Sequence, residues 1–167
     1  ALISVGGPPA ASAMDTTDEQ WTRAFESVFL GSLRIARAVA GAVGPGGSLA
    51  FVLSTSVKAP IGGLAISNGL RPGLAMTAKM MADELGPRGV RVNTLMPGRI
   101  ETDRVAHLDS LAADPAAARA GHEAQIPLGR YGTPEEFGRI AAFVLSPAAA
   151  FVTGASIPVD GGLTRAL

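Results

Sequence analysis

The residues able to act on a small molecule fall into a few groups. Ser67 and Arg71 stand four apart in the run SNGLRPGLAMTAKMMADEL, so on a helix they share one face, a hydroxyl beside a guanidinium. Ser54-Thr55-Ser56 ends one apolar run, Gly6-Gly7 ends another, and Pro97-Gly98 ends a third, with Ile100 and Thr102 close behind. A hydroxyl can orient a substrate oxygen, but an aliphatic one is a far weaker acid than a phenol of pKa about 10. Arginine keeps its positive charge, and because it stays protonated it cannot relay a proton. Ser67 therefore reads either as a surrogate proton donor or as an N-terminal helix cap. Arg71 reads as a ligand contact or as a solvated or ion-paired residue, in a turn made atypical by Pro72. Ser54 reads as a substrate contact or a turn cap.

The other candidates are sparse. His107 and His122 are the only histidines, and histidine is a side chain that can supply an acid; the alternative for each is a solvated surface residue. Tyr131, the single tyrosine, reads as packing. Lys79 lies eight residues beyond Arg71, ~12 Å further along a helix, too far to take its place.

Short apolar runs alternate with long amphipathic ones, the pattern of strands and helices in a parallel sheet. Strands are predicted at 1–5, 48–53, 90–96 and 155–162. A helix over 17–43 is expected to open with Thr16 and Glu19 in capping-box spacing, and Trp21, Phe25 and Phe29 mark its core or subunit-interface face. A second helix spans 68–85 and stops at Gly86-Pro87. Residues 105–126 are Ala-rich and read as short helical pieces in a mobile insert, and Thr133-Pro134 starts a further helix. In such a sheet ligands bind outside the carboxyl ends of the strands, where the Gly, Ser and Pro groups fall.

The 167 residues suit one domain. With 14 basic and 14 acidic residues the net charge is zero, and no basic run follows a nucleic-acid backbone. The absence of cysteine excludes disulfides and thiolate chemistry, and with two histidines no metal site is expected. No apolar run reaches the ~18 residues of a membrane span, ALISVGG lacks the features of a signal peptide, and a cytoplasmic location is expected.

The segments GGPP, LSTS, ELGPRGVRVNTLMPGRIET, IPLGRYGTPEEF and VTGASIPVDGG, in this order, resemble the downstream portion of the short-chain dehydrogenase/reductase family. The resemblance implies an α/β, Rossmann-like, doubly wound parallel sheet, here lacking its first three strands and keeping strands 4 to 7. It implies a single partial domain over 1–167 with a substrate-lid-like insert at 103–130. It also implies an NAD or NADP cofactor, a small-molecule carbonyl or alcohol substrate, and a homodimer or homotetramer. Gly6, Arg71, Pro97, Gly98, Ile100 and Thr102 then fall at cofactor-binding positions, and Ser54, Ser67 and Arg71 at catalytic ones.

Two departures stand out. The family's glycine-rich TGxxxGxG turn is not in this sequence, which raises the expectation that residues precede Ala1. The family's Tyr-x-x-x-Lys pair is replaced by Ser67 and Arg71, and its helix asparagine by Val28. Two readings follow: an oxidoreductase moving a hydride between NAD(P) and a carbonyl or alcohol, with Ser67, a water or a lid histidine in place of the acid, or a catalytically degenerate binding or oligomerisation module.

Overall fold

The computed structural model of the chain describes residues 1–165; positions 166 and 167 of the expected domain lie outside the described residues. Four parallel strands, β1 (Leu2–Ile3), β2 (Ser48–Val52), β3 (Arg91–Pro97) and β4 (Ser156–Val159), stand side by side in chain order. β1 is shorter than the predicted 1–5 because its ladder to β2 ends at the Ile3–Phe51 pair, and the chain then leaves toward Gly6-Gly7.

Alternation along the strands sends side chains to both faces, and each face is covered. Leu49, Phe51 and Val92 pack with Val28, Ala36, Leu74 and Ala78 on one side, whereas Ala50 and Leu95 pack with Ala141 and Val144 on the other. Burial on both faces explains the nearly unbroken apolar character of β2, while the buried Arg91, Asn93 and Thr94 of β3 are hydrogen-bonded. The result is the doubly wound, Rossmann-like α/β layer expected.

The first long helix is a continuous rod of α1 (Asp18–Ala24), a wide π turn over Phe25–Leu30, and α2 (Gly31–Ala42). Its capping box is made by Thr17 and Gln20, not Thr16 and Glu19. The Thr16 hydroxyl is already donated to the Ser12 carbonyl, and Glu19 pairs with Arg23, which leaves the next register to cap the helix. Trp21 and Phe29 lie against Gly69 and Gly73, one turn apart on α3 (Ala65–Leu85), so the aromatic spacing is helix-on-helix packing.

α3 begins three residues earlier than predicted, with Leu64 at its cap and no side-chain cap bond. Ser67 is thus inside the first turn and does not cap the helix. Beyond β3, α4 (Asp103–Ser110) and α5 (Pro115–Glu123) supply the helical pieces of the insert. α6 (Pro134–Leu145) starts as its sequence requires, with Thr133 and Glu136 forming a capping box and Pro134 in the first turn.

Candidate active site

The carboxyl ends of β2 and β3 open into a cleft of about 540 Å³. Its walls include Ser54 and Thr55 after β2, Pro97 and Gly98 at the end of β3, and Val105, Leu108 and His122 from the insert. Ser54 holds the start of a 3-10 turn: its Oγ accepts the Ser56 N–H at 3.1 Å. That bond uses a lone pair, so the hydroxyl hydrogen is free to be donated into the cleft. Gly98 is required there by a close approach, since a Cβ would stand 2.6 Å from Asp160 Cβ and 2.8 Å from its Cα. This contact fixes the turn after β3 against the turn after β4.

Ser67 and Arg71 lie behind this wall. Ser67 is buried, and its Oγ is 3.2 Å from that of Ser56, whereas Ser54 meets Ser56 at the main-chain N–H, so the Ser67 hydroxyl reaches the Ser56 hydroxyl and not that of Ser54. Asn68 does not cap α3 either. Its amide oxygen accepts the Ile61 N–H at 3.0 Å and its amide nitrogen donates to the Ile61 carbonyl at 2.9 Å, which closes the loop that brings Pro60, Ile61 and Gly62 to the cleft.

Arg71 is only 6% exposed. It donates from Nη1 to the Val52 carbonyl at 2.6 Å, while its Nε is buried without a partner. Burial lowers its pKa from the usual arginine range, and the positive charge of Arg104 lowers it further. Arg104, exposed on α4, donates to the Pro8 carbonyl at 2.6 Å and lies against Gly7. The Val28 side chain is part of the buried core at the π turn and offers no polar group there.

The insert is tied down by a buried acid. Asp109 accepts from Arg99 Nη1 at 2.8 Å and from the Tyr131 hydroxyl at 2.9 Å. Arg119 covers the Tyr131 ring, 4.5 Å from its centroid, and pairs with Glu101 and Glu123. Arg99 also reaches His122 Nε2 at 2.8 Å. Because a guanidinium only donates, Nε2 accepts, and the proton of the neutral ring sits on Nδ1. Burial lowers the His122 pKa first and the Arg99 charge second, with Asp109 opposing them. Tyr131 is packing and scaffold, its hydroxyl committed to Asp109.

The predicted site residues therefore separate. Ser54, Pro97 and Gly98 line the cleft, Gly6 lines a neighbouring depression with Gly7 and Val28, Ile100 faces a space beside α6, and Thr102 caps α4 by accepting the Val105 N–H at 3.4 Å. His107 is exposed and away from the cleft lining. Arg99, Arg104 and Asp109 were not singled out from sequence: Arg99 and Arg104 sit in a recognisable segment but carry no spacing signal, and Asp109 lies in a weakly patterned helix. Among the described residues no three His, Cys, Asp or Glu gather to hold a metal, and no helix is long and apolar enough to cross a membrane.

A parallel sheet covered on both faces, with a cleft outside its strand ends, defines a doubly wound α/β protein. Residues 2–164 match the family model described as enoyl-(acyl carrier protein) reductase. An uncharacterized oxidoreductase of Methylorubrum extorquens is 33% identical over 153 residues, 92% of this chain and 60% of that protein. A 3-oxoacyl-(acyl carrier protein) reductase of Vibrio cholerae is 32% identical over 152 residues, 90% of this chain and 60% of that protein. The chain thus spans about three fifths of the length of these curated relatives.

Among solved structures, a short chain dehydrogenase family protein from Francisella tularensis superposes with a TM-score of 0.92 at 24% identity, over 99% of this chain and 70% of its own, a likeness of fold. A short chain oxidoreductase from Pseudomonas aeruginosa, described as containing an atypical catalytic center, superposes in its NADPH-bound form with a TM-score of 0.87 at 28% identity, over 99% of this chain and 65% of its own. The chain belongs to the short-chain dehydrogenase/reductase family.

Proposed function

We propose that this chain is the substrate-side portion of an oxidoreductase that transfers a hydride between NAD or NADP and a small carbonyl or alcohol substrate. The observation that carries the reading is the cleft of about 540 Å³ at the ends of β2 and β3, where Ser54 keeps a free hydroxyl hydrogen beside the Pro97-Gly98 turn. The matched relatives named as reductases favour this over the non-catalytic alternative.

Two features fit a dinucleotide. Gly6 has no atom within 4 Å of where a Cβ would stand, which leaves the backbone after β1 open to close approach, and Arg71 Nε is a buried donor without a partner. Gly6, Pro97, Gly98, Ile100 and Thr102 would border the nicotinamide half and Arg71 the ribose. The bound nicotinamide would supply or accept the hydride. Ser54 would donate to the substrate oxygen, and residues 103–130 would act as the lid that excludes water. Ser67, hydrogen-bonded to the Ser56 hydroxyl and off the cleft wall, would position the Ser54–Ser56 turn. His122, held as the Nδ1–H tautomer at the cleft, is the alternative donor on the lid.

Fluorescence titration with NADH and NADPH tests the cofactor, and absence of binding at millimolar concentration would sink the reading. Ser67→Tyr with Arg71→Lys is expected to raise carbonyl reductase turnover, because a phenol beside an ammonium restores an acid of suitable pKa.

A further inference from the structure

One wall of the cleft is rich in hydrogen-bond donors. Arg99, His122 and Gln125 border it together, and Arg99 Nη2 stands 2.8 Å from His122 Nε2, which places the end of the guanidinium at the cavity. From outside the cavity the buried Asp109, in a depression with Tyr131 and Arg119, accepts from Arg99 Nη1 at 2.8 Å.

Most of these donors are unspent. A guanidinium carries five N–H groups, and Arg99 uses one toward Asp109 and one toward His122. Asp109 cannot close the fork, because its second oxygen accepts from the Tyr131 hydroxyl. Arg130, by contrast, has both Nη groups met by the two oxygens of Glu136. The Arg99 side chain is 24% exposed, and none of its nitrogens is buried without a partner. The His122 Nδ1–H and the Gln125 amide make no hydrogen bond among the described residues. No Asp or Glu lines this cleft, whereas Pro60, Ile61, Leu64, Val105, Leu108 and Leu163 give it apolar surface.

We infer that Arg99, with His122 and Gln125 beside it, receives a carboxylate of the substrate, so that the class the cleft takes is an apolar oxo or hydroxy acid. The inference rests on the oxidoreductase reading for the reacting carbonyl or hydroxyl, which Ser54 meets. A carboxylate accepts two N–H bonds side by side, and a guanidinium already held by Asp109 offers them at reduced ordering cost. The two ends of the substrate are within reach of one small molecule. Continuing the Val52–Leu95 register puts Ser54 level with Pro97, and Arg99 follows two residues on, at most ~7 Å of extended chain.

The test uses the 167-residue chain. 2-Oxooctanoate and 2-octanone share a tail and a carbonyl and differ by a carboxylate in place of a methyl; each is titrated into isotope-labelled protein by NMR. Wild type is expected to bind the oxo acid about tenfold or more tightly than the ketone, the difference that charge-assisted hydrogen bonds supply, with shifts centred on residues 99, 122 and 125. In Arg99→Gln combined with Asp109→Asn, which strands neither charge, the ratio should fall to near one. Arg99→Lys, which keeps the charge without the fork and leaves Asp109 paired, should give an intermediate ratio. Circular dichroism confirms that each variant is folded, and Arg99→Lys carries the test if the double variant is not. Equal affinity of wild type for the two ligands, no binding of the oxo acid, or a preference unchanged in the variants overturns the inference. NADPH binding without the oxo-acid preference refutes the carboxylate site and leaves the oxidoreductase reading standing; the preference without NADPH binding does the reverse.

Discussion

Tyr131 offers a direct readout of how the insert is held, because it is the only tyrosine in the chain. Its side chain is 2% exposed, and its hydroxyl donates to Asp109 at 2.9 Å. Burial and then that hydrogen bond favour the neutral phenol, and the positive charge of Arg99 opposes them, leaving the pKa raised to about 12. Against an unfolded value near 10, this gap corresponds to roughly 3 kcal/mol at most. The folded state holds its phenol proton more tightly than the unfolded one. Tyr131 therefore costs no stability below about pH 10, and stability is lost as pH rises from 10 through 12. A spectrophotometric titration of phenolate in the near ultraviolet, with circular dichroism tracking the fold, is expected to give a native midpoint well above that in denaturant. Asp109→Ala should lower the native midpoint only partway, since burial is the larger cause, and should destabilise the protein by about 2–4 kcal/mol by stranding Arg99 and the Tyr131 hydroxyl. A native midpoint near 10, the same as in denaturant, would refute the buried hydrogen-bonded geometry.

Three other substitutions probe the frame around the cleft. Gly98→Ala forces a Cβ to within 2.6 Å of Asp160 Cβ and should cost about 1–3 kcal/mol in urea unfolding; unchanged stability would contradict the close packing of the two turns. Gly69→Ala brings a Cβ 2.7 Å from Trp21, the sole tryptophan, so the fluorescence maximum should shift, and an unaltered spectrum would mean that the two helices do not meet there. Arg91→Met removes donors to the carbonyls of Val144, Ser146 and Val152 and is expected to cost about 3 kcal/mol, with faster hydrogen exchange over residues 144–152; native-like exchange would argue against that anchor.

The main elements were legible because their signals are local. Apolar runs, Gly and Pro breaks and the Thr133-Pro134 start depend on nearest neighbours in the chain, so four strands and the long helices appeared in the right order. Boundaries were less legible where two local solutions compete. Thr16 and Thr17 can each cap α1, and only the hydrogen bond of Thr16 to Ser12 selects Thr17. Similarly, Ser67 carries the signature of a cap, but the loop clamped by Asn68 on Ile61 lets the helix begin earlier and buries the serine against Ser56.

By itself, the sequence determined the α/β class, the family resemblance and the four-residue spacing of Ser67 and Arg71. Those are matters of residue type and order. Which of these residues meet was decided by tertiary structure. Ser54 lies on the cleft with Pro97 and Gly98, Ser67 lies behind it, and Arg71 is buried with its Nη1 on the Val52 carbonyl. Proximity across a sheet is set by strand order and helix crossing, and charge and burial at a meeting point arise only there. The Ser67/Arg71 spacing therefore survives as a helical fact, while its chemistry belongs to Ser56 on one side and to the Val52 carbonyl on the other.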